Sequence, residues 1–291
     1  MPDYDASSLP DLRHRTVVIT GASSGIGEAT ATFLAAAGAR TVLAVRNPDK
    51  GAAAARRMTG SVDVRELDLA SLDSIRSFAR TWDSPIDILI NNAGVSARTL
   101  RRTADGFELD FGTNHLGHFA LTALLLPQVT GRVVTVASQA ERAARLDLDD
   151  PNWERRPYVP SRAYNDSKLA NLLFTAELER RLRAGRSPVR AVAAHPGLVT
   201  TPIYDKPADA QRTFWDRILP VLGQDAAHGA LPLLFAATED VPGGGFVGPQ
   251  HLMHMRGGAQ LIRRSKAAAD PKLAGRLWDI SEALTRVAYP G

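Results

Sequence analysis

The stretch Thr16-Val17-Val18-Ile19-Thr20-Gly21-Ala22-Ser23-Ser24-Gly25-Ile26-Gly27 decides the fold. Its first five residues are an unbroken β-branched run, which reads as a short strand buried on both faces. The glycines behind it let the backbone turn tightly and come close to a ligand, and the helical pattern opening at Gly25 offers unpaired N–H groups at its start. Strand, glycine turn and helix in that order form the phosphate-cradling unit of a parallel α/β sheet. The spacing is G-x-x-x-G-x-G rather than the commoner G-x-G-x-x-G.

Outward from that unit, strand-like runs alternate with helical patterns. Strands are expected over 16–20, 41–45, 62–67, 86–90, 132–137 and 189–194, with a short last one at 246–247. Helices are expected over 25–37, 52–58, 107–126, 161–183, 226–237 and 273–287, and another enters at Ser71 as N-cap with Ser74 in its first turn. This alternation predicts an α/β protein: a single Rossmann-type, doubly wound parallel sheet with helices on both faces, one nucleotide-binding domain over 1–291. Two segments, 139–160 and 202–223, are too long for ordinary connections and are expected to wall a substrate pocket. A C-terminal helical tail, about 250–291, should pack onto the same domain.

Composition narrows the function classes. The 291 residues are 44% hydrophobic and 23% charged, ordinary for a chain that buries a sizeable core. Cysteine is absent, which rules out disulfides and thiolate metal sites, and no ligand cluster accompanies His251 and His254, so no metal is expected. The net charge of +4 is spread among interleaved acids rather than gathered in a stripe, which argues against nucleic acid. No run approaches the length of a membrane span and no signal peptide is visible, so a cytoplasmic protein is the expectation.

The chemistry lies in the middle of the chain. Tyr164 and Lys168 are four residues apart in a helical segment, which puts a phenol and an ammonium on one face. A phenolate near neutral pH requires the tyrosine pKa to fall by ~3 units, about 4 kcal/mol. One ammonium at ~4 Å, at an effective dielectric of ~20, supplies about that much. Ser138 stands just past the fifth strand, where its hydroxyl can hold a substrate oxygen. Asn114 sits mid-helix, where an amide is a mediocre helix former, which points to another role.

Thr20–Gly27, Asn91-Asn92-Ala93-Gly94, Asn114, Ser138, Tyr164/Lys168 and Pro196-Gly197 together resemble the motif set of the short-chain dehydrogenase/reductase superfamily, in the expected order and over essentially the whole chain. Asn114-His115-Leu116-Gly117-His118-Phe119 and the run from Tyr164 to Phe174 are similar to the branch holding retinol dehydrogenases, protochlorophyllide reductase and the WW-domain oxidoreductase. The resemblance implies that Tyr164 is the general acid/base, that Lys168 lowers its pKa and bonds the nicotinamide ribose, that Ser138 positions the carbonyl or alcohol, and that Asn114 holds a water relaying protons through Lys168. It implies cofactor contacts from Gly21, Ser23, Ser24, Gly25, Ile26, Gly27, Asp68, Leu69, Asn91, Ala93, Gly94, Tyr164, Lys168, Pro196, Gly197, Val199 and Thr201. His118 is expected to serve packing or capping, while His195 is open between structure and site. Asp166, two residues beyond the phenol, should face away from it.

The end of the second strand selects the nucleotide. It reads Ala44-Val45-Arg46-Asn47 with no acid before Asp49, so Arg46 is positioned to pair with a 2′-phosphate and NADP(H) is favoured over NAD(H). Asp68 fits an adenine contact and a helix-entry role equally. Leu146, Leu148, Trp153, Tyr158, Ile203, Tyr204, Phe214, Trp215 and Ile218 would line a pocket for a lipophilic or aromatic small molecule, and the arginine- and alanine-rich composition suits secondary metabolism. Carbonyl–alcohol interconversion leads the readings. Reduction of a C=C bond, an epimerase-type cycle and a non-catalytic NADP-binding interaction protein are the alternatives. Relatives of this kind pair through their long central helices, so a homodimer or homotetramer is expected.

Overall fold

The computed structural model describes residues 4–199 and 223–289. Eight strands form one sheet in the order β3-β2-β1-β4-β5-β6-β7-β8. They are β1 (Thr16–Thr20), β2 (Arg40–Val45), β3 (Val62–Glu66), β4 (Ile86–Asn91), β5 (Val129–Val136), β6 (Arg190–Ala194), β7 (Phe246–Gly248) and β8 (Gln260–Leu261). All pairs are parallel except β7 with β8, an antiparallel edge strand that the sequence pattern does not announce. The strand order reverses between β1 and β4, and a crevice at the carboxyl ends of these two strands is where such sheets bind ligands.

The buried strands feed two cores, one on each face. Val17 and Ile19 of β1 and Leu43 and Val45 of β2 point to one side, where they meet α1 (Gly25–Ala36) and α7 (Ala226–Thr238). Val18, Val42 and Ala44 point to the other, into a larger cluster with Phe119, Leu172 and Phe174. The period-two alternation of a strand thus serves two apolar layers, which is why these strands carry no polar face.

Helix bounds shift for local reasons. α2 (Pro48–Ala55) starts earlier than expected because Asn47 caps it, accepting from Lys50 N–H, and Pro48 begins its first turn. α3 (Leu72–Arg80) is capped by Ser71 as expected. The helix expected over 107–126 is not continuous. Glu108 caps α4 (Leu109–Phe111), a π turn follows at Gly112–Leu116, and α5 (Gly117–Leu125) completes it. Gly117 passes so close to Leu69 that a Cβ there would fall 2.5 Å from the Leu69 carbonyl oxygen. β5 begins before residue 132, with a register shift between Ile86 and Ile88 where Gly131 presses on the Asp87 carbonyl. α6 (Pro160–Ala184) runs close to its expected length.

The tail ends in α8 (Pro271–Thr285), which stops where Arg286 turns left-handed at φ 53°. It lies along α6 and α5: Trp278 stacks on Phe174 at 6.1 Å and meets Phe119 edge-on at 5.1 Å, while the Arg181 guanidinium caps its ring at 4.3 Å. His115 Nε2 lies 2.8 Å from Ser281 Oγ. The tail thus packs on part of the two long central helices of its own chain. Trp278 is 1% exposed, so Trp278→Ala is expected to cost about 3–5 kcal/mol in a denaturant melt, because the cavity cannot collapse against three aromatic neighbours.

Candidate active site

The glycine turn leaves β1 at the strand-order reversal. Gly21 and Gly25 hold φ of 66° and 59°, left-handed conformations that favour glycine. A Cβ on Gly27 would come 2.4 Å from Asn92 Nδ2, so the turn is drawn against the stretch after β4. That contact is used: Asn92 Nδ2 donates to the Thr20 carbonyl at 2.8 Å, and the N–H groups of Asn92 and Ala93 both donate to Thr20 Oγ1 at 2.9 Å. Ser24 is exposed and makes no side-chain cap, so the first N–H groups of α1 are left for another acceptor. This backbone cradle and its donors suit a pyrophosphate. Ile26 and Val199 meet over Gly229 of α7, closing one side of the turn.

On the other side of the reversal, Lys168 is 3% exposed. Its Nζ donates to the Val136 carbonyl at 3.3 Å, where Asn171 Nδ2 also donates at 2.9 Å, and it lies 5.5 Å from the centre of the half-buried Tyr164 ring. A methyl on Gly94 would sit 3.6 Å from the same Nζ and 3.5 Å from Asn114 Oδ1. Val136 is the last residue of β5, and Ser138, two residues on, caps the short turn Gln139–Ala143, its Oγ accepting the Ala140 N–H at 3.2 Å. Asn114 binds Val95 twice, accepting its N–H at 2.7 Å and donating to its carbonyl at 2.9 Å, and donates to Ser167 Oγ at 3.0 Å. Both amide hydrogens are thus used, Oδ1 keeps one acceptor site, and the main-chain carbonyl lies 2.9 Å from His118 Nδ1.

Burial pulls the Lys168 ammonium down to about 8, partly offset by the carboxylate of Asp110. Asp110 itself is pushed up to about 8 by burial and by Glu108, and its buried Oδ2 has no hydrogen-bond partner among the described residues. Burial likewise lowers His195 to about 3, so its ring is neutral; Nδ1 accepts the Gly197 N–H at 3.4 Å and braces the Pro196-Gly197 turn. Asp166 faces away from the phenol, as expected: its Oδ1 accepts the Arg145 N–H at 2.7 Å, and burial lifts it to about 6.

Several expected contacts fall elsewhere. Asn91 is fully buried, and its Nδ2 donates to Thr122 Oγ1 at 2.9 Å, which fixes its side chain in the cleft floor. Leu69 is buried under Gly117. Asp68 Oδ1 accepts the Ala70 N–H at 2.9 Å, which gives it the helix-entry role. Leu148 and Trp153 are buried and Leu146 packs on the core, so these residues anchor their loop instead of lining open space. Tyr158 Oη donates to Glu108 Oε1 at 3.1 Å, and Arg156 stacks on Trp153 at 3.8 Å. Arg46 is exposed at the end of β2, and among the described residues its side chain makes no hydrogen bond or ion pair. Thr201 and the pocket residues Ile203, Tyr204, Phe214, Trp215 and Ile218 lie outside the described residues.

The sequence pattern did not reveal a hairpin over 251–256. Gln139, next to Ser138, donates to the Met253 carbonyl at 3.2 Å, and Leu198 N–H donates to the Met255 carbonyl at 2.8 Å. Met253 is 81% exposed and Leu252 50%, so the hairpin held by Gln139 carries two exposed apolar side chains. Leu252, Met253 and His254 all have positive φ, a conformation that no glycine signal announces.

A strand-order reversal carrying a glycine cradle, with a buried ammonium beside a phenol, defines a dinucleotide-dependent oxidoreductase class. The sequence matches the short chain dehydrogenase family over residues 15–212. Human retinol dehydrogenase 13 is 47% identical over 199 residues, covering 64% of this chain and 60% of that protein, so that match spans less than two thirds of the relative's length. Human retinol dehydrogenase 14 is 36% identical, covering 94% and 88%. A crystal structure of an uncharacterized protein from Mycobacterium Paratuberculosis is 50% identical, covers 99% of this chain and 100% of that one, and superposes with a TM-score of 0.88. The chain belongs to the short-chain dehydrogenase/reductase family, in its retinol-dehydrogenase-like branch, a family of NAD(P)-dependent oxidoreductases acting on CH–OH groups.

The buried ammonium carries a stability cost with a defined pH window. With a folded pKa of about 8 against 10.5 unfolded, the cost is fully present below pH 8 and is relieved as pH rises to 10.5. Lys168→Met should therefore stabilise the cofactor-free protein at pH 7 by roughly 3 kcal/mol, with the gap to wild type closing across that window. Urea melts of both proteins at pH 7, 9 and 10.5 measure it.

Proposed function

We propose that this chain interconverts a carbonyl and an alcohol on a lipophilic or aromatic small molecule, using NADP(H). The observation that carries the reading is the placement of Lys168 Nζ, pinned by the Val136 carbonyl at 3.3 Å and 5.5 Å from the Tyr164 ring. Bound nicotinamide supplies or accepts the hydride; the chain's own residues handle the proton. Ser138 Oγ holds the substrate oxygen. Tyr164 Oη gives that oxygen a proton in reduction and takes it back in oxidation. The Lys168 ammonium, largely charged at neutral pH, stabilises the phenolate left behind. Asn114, whose Oδ1 lies with Lys168 Nζ beside Gly94, holds the water that returns the proton through Lys168.

The N–H groups opening α1 and the turn from Gly21 to Gly27 would hold the pyrophosphate, with Ala93, Gly94 and the Pro196-Gly197 turn bordering the rest. Arg46 supports the choice of NADP(H), because an exposed guanidinium without a partner among the described residues suits a phosphate dianion. The apolar tip of the 251–256 hairpin, beside Gln139, favours a lipophilic substrate. The names of the retinol dehydrogenase relatives agree with that chemistry.

Two variants test the reading. Tyr164→Phe should lower kcat on an aldehyde or ketone panel by about 10²–10⁴-fold while NADPH binding by calorimetry is retained. Activity kept in that variant would remove the proposed acid. Arg46→Ala should weaken NADPH and leave NADH unchanged, a shift of about tenfold or more for one lost charge-assisted pair. Equal weakening of both nucleotides would count against a 2′-phosphate contact.

A further inference from the structure

His118 is fully buried in α5 and has a partner at each ring nitrogen. Nδ1 lies 2.9 Å from the Asn114 carbonyl oxygen, and Nε2 lies 2.8 Å from Thr20 Oγ1. The protons on this network follow from counting. Thr20 Oγ1 accepts two N–H groups, those of Asn92 and Ala93, each at 2.9 Å, which uses both of its lone pairs. Its own hydrogen must then go to an acceptor. The Ile90 carbonyl stands at 3.5 Å, while His118 Nε2 stands at 2.8 Å, so the hydrogen goes to Nε2. Nε2 is therefore the bare nitrogen, and Nδ1 carries the hydrogen given to the Asn114 carbonyl. Burial lowers the ring to about 4, with Lys168 adding to the fall, so the imidazole stays neutral in the working range.

The chain of bonds continues on both sides. Asn114 Nδ2 donates to Ser167 Oγ at 3.0 Å, and Ser167 Oγ donates to the Tyr164 carbonyl at 2.7 Å. At the other end, Thr20 is the last residue of β1, directly before the glycine turn, and its hydroxyl also fixes the stretch ending at Gly94. Two hydrogen-bonded segments thus meet at Asn114: Thr20 and His118 reach its main-chain carbonyl, and its side-chain amide reaches Ser167 and so the Tyr164 carbonyl. His118 is the link that passes from the nucleotide side to the proton-handling side.

We propose that His118 is a positioning residue of the active site: as a neutral imidazole protonated on Nδ1, it ties the glycine turn through Thr20 to the carbonyl of Asn114, and so holds the cofactor cradle in register with the turn that carries Tyr164. The role goes beyond packing, because an apolar side chain of equal volume would leave both a buried hydroxyl hydrogen and a buried carbonyl without their partner. It rests on the reading of the cleft as a dinucleotide site.

The test compares His118→Leu, which keeps the volume and loses both bonds, with His118→Gln, whose amide can give a hydrogen to Asn114 and accept one from Thr20. Both are measured for NADPH affinity by calorimetry and for kcat and KM on a substrate turned over by the wild type. His118→Leu is expected to weaken NADPH binding and to lower kcat by about 10²-fold, the scale of a misplacement near 1 Å, with His118→Gln restoring most of both. Nitrogen-15 NMR of the histidine rings, with the His118 signal assigned by its loss in His118→Gln, should show a protonated Nδ1 and a bare Nε2. Wild-type affinity and kcat in His118→Leu, equal damage in both variants, or the opposite tautomer would each overturn the proposal. If His118→Leu does not fold, His118→Asn takes its place, since its shorter amide reaches only one partner. A wild type without turnover on any substrate would defeat the proposed activity, while the binding comparison and the tautomer still decide the role of His118.

Discussion

Everything around the cleft answers to one constraint, the burial of an ammonium at the junction of β5, α6 and the stretch after β4. A charge taken out of water is costly unless fixed dipoles replace the water, and Lys168 receives the Val136 carbonyl at the end of the central strand. Asn171 donates to the same oxygen, so the strand end is clamped to α6 from two positions one turn apart. That clamp determines where Ser138 leaves the sheet and where the phenol stands relative to it. A fold selected for stability alone would place an apolar side chain at this position; a cation held there marks a site where stability is given up for reactivity.

The same economy of polar groups organises the rest of the site. Asn114 gives both amide hydrogens, to Val95 and Ser167, and accepts the Val95 N–H, and the π turn around it brings this side chain and its carbonyl to bear on different neighbours. Glu108 and Asp110 crowd two carboxyl groups at the start of α4, where Glu108 caps two N–H groups and receives the hydroxyl of Tyr158. The loop over 144–159 is therefore pinned from below by Glu108 and Asp166, with Trp153 folded inward. Among the described residues, the 251–256 hairpin carries the exposed Leu252 and Met253, and its Met253 carbonyl accepts from Gln139, the residue after Ser138.

The tail is part of the same domain's packing. Trp278 and Tyr289 close over Phe119 and Phe174, and His115 is drawn into that aromatic cluster while His118, one turn on, faces the sheet. Two histidines three residues apart on one helix thus hold different partners, one binding the tail and the other the nucleotide turn. The large aromatic layer gives α5 and α6 a rigid back, which keeps the residues on their inner sides in place.

The amino-acid order alone determined the local periods and the site's chemical inventory. The β-branched runs, the glycine turn, the Tyr164–Lys168 spacing and the place of Ser138 are legible because each depends on neighbours within a few residues. The caps at Asn47 and Ser71 belong to this kind of information as well, although the start of α2 requires noticing Pro48. Only the tertiary structure decided which polar groups meet across the sheet. Asn91 turned inward to Thr122, the helix at Asn114 opened into a π turn against Leu69, and α8 settled on the long helices, all through contacts tens to hundreds of residues apart in the chain. A hydrogen bond such as that between His118 and Thr20, 98 residues apart, leaves no trace in local periodicity, because burial and partner geometry are properties of the folded packing rather than of any window of sequence.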